Sequence, residues 1–498
     1  MPEKETSGTV SHGTASRKAE HLRINLEEDV SAKGVTSGLE RFRFVPRTLP
    51  EIDLADVSTV VDLFGYRLGA PVFVSCMTGG VPEAGVINRA LARVAQRHRL
   101  ALGLGSGRVL LEHPEALPSF DVRSLAPDVP IFANIGAVQL KRGVGVDECR
   151  RLVDLLRADA LVLHLNALQE ALQPEGDTVF GGVLERIAQL CRRLEVPVIA
   201  KEVGWGIAPD VALRLLEAGV SAVDVAGTGG TSWSEVERHR MTDPVRRRVA
   251  AAFADWGLPT ADAVRLARRA APDALIFASG GIRNGMDAAK AVALGADLVG
   301  VAGTFLRAAS QGEEAASELA SEFIETLRIV MFCLGESSVA SLRGTPRLIS
   351  DDGRDRTALT VELALGSNGI GSSHDITDQV MAAVAGSAIL TGVVHCFLQD
   401  AGATIQIGTP PARTASLIST GGQALDRLVP PDLHRSRDGH GPAHAVGAVE
   451  SGSDRVPLVS AAAPVVGGRL WLGADQRITV VELGAPRERR VTLQVLGQ

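Results

Sequence analysis

The sequence predicts an α/β fold, a (β/α)8 TIM barrel followed by a smaller β-rich α+β domain. Three observations predict it. Eight short apolar runs alternate with helical patterns between residues 71 and 303. Nearly every run ends in polar or glycine-rich residues, and in a barrel all these ends share the one face where active sites sit. The 498-residue chain carries 53 Gly but only 4% aromatic residues, which suits tight strand-to-helix turns better than an aromatic-rich β protein.

The runs are Pro71–Ser75, Leu100–Gly105, Val129–Gly136, Ala160–Asn166, Val196–Val203, Val220–Gly227, Ala274–Gly281 and Ala296–Gly303. Helical periodicity fills the gaps, as in Asp147–Arg157, Val183–Leu194, Pro209–Ala218 and Ala261–Ala271. Residues 16–350 are assigned to the barrel, with one or two closing helices in Ser310–Leu348. Residues 1–15, rich in Ser, Thr, Gly and Glu and without a signal-peptide core, read as a disordered tail. The charged stretch at 351–356 reads as a linker. Beyond it, residues 357–498 show strand-like segments at Ala358–Leu365, Ala403–Ile407, Arg469–Leu472, Ile478–Leu483 and Val491–Val495, with one helix at Asp375–Val384. Asp432–Gly447 is loop-like and carries His434, His440 and His444, a pattern that suits a solvated loop better than a metal site.

A net charge of −7 argues against general nucleic-acid binding, so the cations that hold any anionic ligand must be local. Five scattered Cys without a CxxC pair fit reduced thiols in a cytoplasmic protein. No run approaches the roughly 18 apolar residues of a membrane span.

The densest chemistry is His164-Leu165-Asn166-Ala167-Leu168-Gln169-Glu170, at the tip of the fourth run. Buried polar groups need partners, so this cluster reads as a substrate and metal site. His164 and Asn166 face the same way on a strand. Gln169 and Glu170 are expected in the turn beyond, with Glu170 as general base or metal ligand. Ser279-Gly280-Gly281-Ile282-Arg283 and Gly300–Thr304 end the last two runs, where backbone amides and a following helix form the usual phosphate cradle of this fold. Gly227–Trp233 is a second glycine-rich turn, and no GxGxxG lies between a strand and a helix. Lys201 ends the fifth run and is expected to point into the barrel mouth. It suits the electron-rich edge of a reduced flavin, and Schiff-base chemistry stays open as its alternative. Arg17, Lys18, His21 and Arg108 supply local positive charge, although the first three also suit a solvated surface cluster.

Together these pieces resemble the type 2, FMN-dependent isopentenyl-diphosphate delta-isomerases. The likeness rests on Arg17–His21, Met77-Thr78-Gly79-Gly80, Gly105-Ser106-Gly107-Arg108, Ala133–Gly136, His164–Glu170, Lys201-Glu202-Val203-Gly204, Gly229–Trp233, Trp256-Gly257 and Ser279–Arg283, in order along the barrel. It implies interconversion of isopentenyl and dimethylallyl diphosphate with reduced FMN as acid–base, Mg2+ on the diphosphate and NAD(P)H as reductant. By the same resemblance FMN is held by Met77, Thr78, Gly79, Ser106, Asn134, Lys201, Ala226, Thr231, Gly280, Gly281, Arg283, Ala302 and Gly303. Substrate falls to Arg17, Lys18, Arg108, His164, Asn166 and Gln169, the metal to Glu170, and catalytic roles to Gln169 and Lys201. The resemblance also implies a homo-oligomer, a tetramer or octamer. Two departures stand out: Gly107 replaces a usual Gln, and Ala226 stands where Thr or Ser is common. The α-hydroxy-acid oxidases, which share barrel and cofactor, are the alternative, but their His base is missing after run six, where His239 lies in a polar segment.

The C-terminal portion resembles the YjbQ-like family through Thr391–Val394, Gly468–Gly473, Gly484–Arg489 and His444. That family's His-Thr-Thr turn is Leu398-Gln399-Asp400 here and its following Glu is Ile407, so the domain reads as degenerate, with assembly or binding favoured over catalysis.

Overall fold

The computed structural model describes residues 10–350, 357–366, 372–387, 389, 391–399, 403–408, 460–482 and 486–497. The chain divides into two compact units, Met1–Ile349 and Ser350–Gln498. Among the described residues no helix is long and apolar enough to cross a membrane.

The first unit is a closed parallel barrel of eight strands: β1 Val72–Val74, β2 Ala101–Gly103, β3 Ile131–Gly136, β4 Ala160–Leu165, β5 Val198–Glu202, β6 Ala222–Asp224, β7 Leu275–Ser279 and β8 Leu298–Val301. Each of the eight apolar runs contains one of them. The runs are apolar throughout because both faces of each strand are covered. Phe73, Phe132, Ala160, Val162, Ile199, Ala222 and Phe277 point inward and fill the barrel. Their neighbours Val72, Val74, Ile131, Leu161, Leu163, Ala200 and Val223 point outward and pack under the helices. A hairpin of Val61–Leu63 and Tyr66–Leu68 sets Leu63 and Leu68 against the inward cluster, so the barrel has a plug at one end. The strand tips at the other end are left to bind ligands.

Gln169 and Glu170 lie in the first turns of a helix, Ala167–Leu172, rather than in an open turn. Asn166 bends out of the strand at φ −135°, ψ 41° and starts that helix directly. The tail assignment also needs correction. A helix spans Val10–Glu27, so its first residues lie inside the stretch read as disordered. Ser, Thr and Gly enrichment hid that helix, whose anchorage is tertiary: Ile24 packs with Val30, Val236 and Trp233. The closing segment holds one long helix, Glu313–Leu334, and a short one, Val339–Leu342.

The second unit contains a five-stranded antiparallel sheet in the order Thr357–Gly366, Glu488–Gly497, Thr391–Leu398, Ser460–Val466, Arg469–Leu470. A three-stranded sheet orders Ser373–Asp375, Arg477–Glu482 and Ala403–Gly408. Val491, Leu493 and Val495 alternate into a core shared with Val380 and Val384 of the helix Thr377–Gly386. A fully buried ion pair joins Arg489 to Glu482, with Nη2 2.7 Å from Oε2. The linker at 351–356, Asp400 and the three loop histidines lie outside the described residues.

Candidate active site

The tips of all eight strands meet around one cavity of about 520 Å³ in the first unit. All twenty residues singled out as site candidates line it: Arg17 and Lys18 from the N-terminal helix; Met77, Thr78, Gly79, Ser106 and Arg108 after β1 and β2; Asn134 on β3; and His164 and Lys201 on β4 and β5, with Asn166, Gln169 and Glu170 following β4. Ala226, Thr231, Gly280, Gly281, Arg283, Ala302 and Gly303 complete it after β6 to β8.

Strand register sets the polar floor. His164 pairs with Lys201, and Lys201 with Asp224, so one row crosses β4, β5 and β6 at the rim. His164 Nδ1 lies 2.8 Å from Asn134 Oδ1, an acceptor, so Nδ1 carries the proton and Nε2 keeps a lone pair. Burial first, then the Lys201 and Lys18 charges, push the His164 pKa down to about 4, so the ring is neutral at physiological pH. Burial pushes the neighbouring Cys76 thiol up to about 11. Lys201 donates to the Glu202 carbonyl at 2.7 Å and to Ser279 Oγ at 3.3 Å, and lies 3.6 Å from Asp224 Oδ2.

Around Gln169 the structure adds a residue that sequence reading missed. Glu237, in the helix Trp233–Arg240, is wholly buried. Its Oε1 accepts from Gln169 Nε2 at 3.1 Å and lies 3.1 Å from His21 Nε2, while Oε2 accepts from Arg240 at 2.6 Å. Burial acts to raise its pKa, but contacts from His21, Arg240 and Gln169 outweigh it and hold the carboxyl below its ordinary value. Gln169 Oε1 in turn accepts from Asn166 Nδ2 at 3.2 Å, so both ends of the Gln169 amide are specified. The local sequence gave no signal, because Glu237 sits among Arg and Glu residues that read as a solvated helix.

Glu170 accepts from Asn166 Nδ2 at 2.8 Å, Gln173 Nε2 at 2.6 Å and the Asp177 amide at 2.6 Å. Asn166 Oδ1 beside it is buried without a hydrogen-bond partner. Among the described residues no group of three His, Cys, Asp or Glu is placed to hold a metal. One carboxylate beside a neutral oxygen fits a hard cation that takes its remaining ligands from water and phosphate oxygens.

The cationic rim has two parts. Arg17, 3.7 Å from Glu175, and Lys18 come from the N-terminal helix. Lys18 donates to the Ser106 carbonyl at 2.8 Å. Burial, with a smaller push from Arg17, lowers its pKa to about 7. The trio is therefore not a solvated cluster, since His21 also packs edge-on against Trp233. Gly280, Gly281 and Arg307, the last on the helix Gly303–Gln311, also line the cavity. Gly280 has φ +99°, and a Cβ there would lie 1.9 Å from the Gly227 carbonyl oxygen, so backbone amides are presented with no side chain between. That cradle, a helix N-terminus and two arginines fit a phosphate group of a bound flavin nucleotide.

The two departures have these local settings. A Cβ on Gly107 would lie 2.6 Å from Leu152 Cδ1, so Leu152 fills the space a side chain would enter. Ala226 has φ +39°, a conformation that a β-branched residue adopts only under strain.

Residues 165–350 match the FMN-dependent dehydrogenase family and residues 362–498 the UPF0047 YjbQ-like family. The chain is 51% identical to a Nostoc isopentenyl-diphosphate delta-isomerase over 330 residues, 66% of this chain and 94% of that protein. The chain belongs to that isomerase family. A Synechococcus member is 54% identical over 66% of this chain and 94% of its own length, and a Rickettsia felis member 47% identical over 66% and 94%. Family membership covers the barrel, and the YjbQ-like unit is fused behind it. A flavocytochrome b2 variant with pyruvate bound shares the fold, with a TM-score of 0.51, 18% identity and coverage of 68% of this chain and 85% of that one.

Proposed function

We propose that the chain interconverts isopentenyl and dimethylallyl diphosphate, with FMN held in the cavity, Mg2+ on the diphosphate and NAD(P)H as the source of reducing equivalents. The observation that supports this most is the layout of one cavity. It has the glycine cradle at Gly280 and Gly281 and the cations Arg17, Lys18, Arg108, Arg283 and Arg307, with Gln169 and Glu170 in the same lining. A glycine cradle and five cations in one chamber suit a cofactor phosphate together with a substrate diphosphate.

Moving a double bond requires a proton added at one carbon and removed from another. Reduced FMN, when bound, supplies that acid–base function beside the alkene. The chain's own groups do the rest. Lys201 presents a fixed cation from the cavity floor. Neutral His164 and Asn166 offer polar contacts to the diphosphate without adding charge. Gln169, fixed by Glu237 and Asn166, orients the reacting end. Glu170 brings a cation to phosphate oxygens that would otherwise repel its carboxylate.

The hydroxy-acid oxidase alternative lacks its base: His239 lies on the helix Trp233–Arg240 and is not among the residues lining the cavity. For the second unit, a binding or assembly role fits best, since Gln399 donates to Glu362 and Thr492 within its own sheet. Assembly of the chain into a tetramer or octamer belongs to the same reading, and light scattering tests it. The deciding experiment is an anaerobic assay of purified protein with FMN, Mg2+ and NADPH. The protein should be yellow and should convert isopentenyl diphosphate. No turnover under those conditions refutes the proposal.

A further inference from the structure

Asp224 ends β6, is 1% exposed and does not line the cavity. Its Oδ1 accepts from Ser279 Oγ at 2.7 Å and from the Ala226 amide at 3.3 Å. Its Oδ2 has no hydrogen-bond partner and lies 3.6 Å from Lys201 Nζ. Because the Ser279 hydroxyl gives its proton to Asp224, its lone pairs face Lys201, 3.3 Å away. The three side chains come from β5, β6 and β7 and form one buried unit, of which Lys201 and Ser279 reach the cavity.

We infer that Asp224 is a positioning residue for the flavin reaction: it is the buried counter-charge of Lys201, fixing its aim through Ser279 and setting how much positive charge the cavity receives. The other groups around Lys201 leave this role to Asp224. His164 on β4 is neutral, and Cys76 after β1 is a protonated thiol. Glu202 on β5 itself spends its carboxylate on the backbone amides of Gly204 and Trp205, at 2.7 and 2.5 Å, and burial raises its pKa to about 7. Lys18 adds positive charge from the N-terminal helix. A buried carboxylate oxygen 3.6 Å from an ammonium is neither free of it nor fused with it by a hydrogen bond. Its charge therefore attenuates the field of Lys201 rather than cancelling it.

The inference rests on the flavin reading of the cavity, and its test separates the two. FMN is titrated into the wild-type chain and an Asp224→Asn variant, and the midpoint potential of the bound flavin is measured at about pH 6, where a lysine keeps its proton. The variant keeps the side-chain shape and an acceptor for Ser279 and Ala226 while removing the charge. Bound FMN should show a more positive potential than in wild type, because the unattenuated ammonium favours the electron-rich reduced form, and affinity for oxidised FMN should change by no more than a few-fold. An unchanged or more negative potential overturns the inference. So does weakened FMN retention with no shift in potential, which is the signature of a turn cap alone. If Asp224→Asn gives no folded protein, Ser279→Ala takes its place. It keeps both charges but removes the bridge, and it should move the potential in the same direction by less; no movement overturns the inference. A wild-type chain that takes up no FMN overturns both this inference and the flavin reading, whereas a yellow wild type with an unmoved variant overturns this one alone.

Discussion

Replacing Glu237 by Gln tests whether the buried carboxylate, and not merely the shape of the site, orients Gln169. The substitution adds no volume and removes one charge from a side chain that is wholly buried. Glu237 serves three partners, Gln169 at 3.1 Å, His21 at 3.1 Å and Arg240 at 2.6 Å. Breaking a buried ion pair costs about 3–5 kcal/mol, and the low end applies because Arg240 keeps Glu20 and Glu175, each at 3.0 Å. The Gln169 contact changes from a charged to a neutral acceptor, worth roughly 1–1.5 kcal/mol, or about tenfold in the preference for one amide orientation. The expected outcome is a fall in kcat of about tenfold with FMN still bound, and a thermal transition lowered by several degrees. Anaerobic turnover and a melting curve on the same sample measure both. A variant that melts several degrees lower yet turns over within twofold of wild type would refute the orienting role and leave Glu237 a structural group only.

Three further outcomes follow from the geometry. Gln169→Ala should strongly reduce turnover while FMN absorbance is retained, and a normal rate would remove Gln169 from the mechanism. Gly280→Ala should lose flavin and destabilise the barrel by more than about 2 kcal/mol, because its Cβ would lie 1.9 Å from the Gly227 carbonyl; flavin content and thermal denaturation read it, and a stable, yellow protein would contradict the cradle. Lys18, with its pKa lowered to about 7, should make diphosphate binding weaken as pH rises above 7, by up to about tenfold per unit until the pKa of the bound state is passed. Its effect on folding has the opposite sign. Between about 7 and 10.5 the unfolded chain holds the extra proton, so this group's contribution to stability rises with pH. Calorimetry in buffers of different ionisation enthalpy should show proton uptake on binding near neutral pH, and no uptake would refute the assignment.

The barrel was legible because its strands are buried on both faces and therefore apolar without interruption, while their tips are not. Val72–Val74 and Ile131–Gly136 are buried throughout; Met77, Thr78 and Gly79 follow the first, and Asn134 and Gly136 stand at the end of the second, all lining the cavity. The N-terminal helix was not legible, because its hold on the barrel is made by Lys18, His21 and Ile24 reaching partners far along the chain. In the second unit Ser460–Val466 escaped notice for a related reason: Ala461–Ala463 and Pro464 carry little strand propensity, and the pairing of this segment with Thr391–Leu398 is what makes it a strand.

The site divides along the same line. Candidates at strand tips stand out because a polar side chain after an apolar run is conspicuous, and all twenty candidates, Arg17 and Lys18 of the N-terminal helix among them, line the cavity. Residues that act on those residues do not stand out. Asp224 follows Ala222-Val223 and reads as an ordinary strand end, and Glu237 lies in a helix of charged residues. Only pairing reveals them, Asp224 through its register with Lys201 and Glu237 through Gln169. Both are carboxylates buried behind the lining of a cavity whose ligand is expected to be anionic, and a free carboxylate there would repel that ligand. Each is instead committed to a cation, Asp224 to Lys201 and Glu237 to Arg240. Negative charge at these two positions therefore serves to fix the groups that face the cavity, whereas Glu170, which lines it, is the carboxylate proposed to carry the metal.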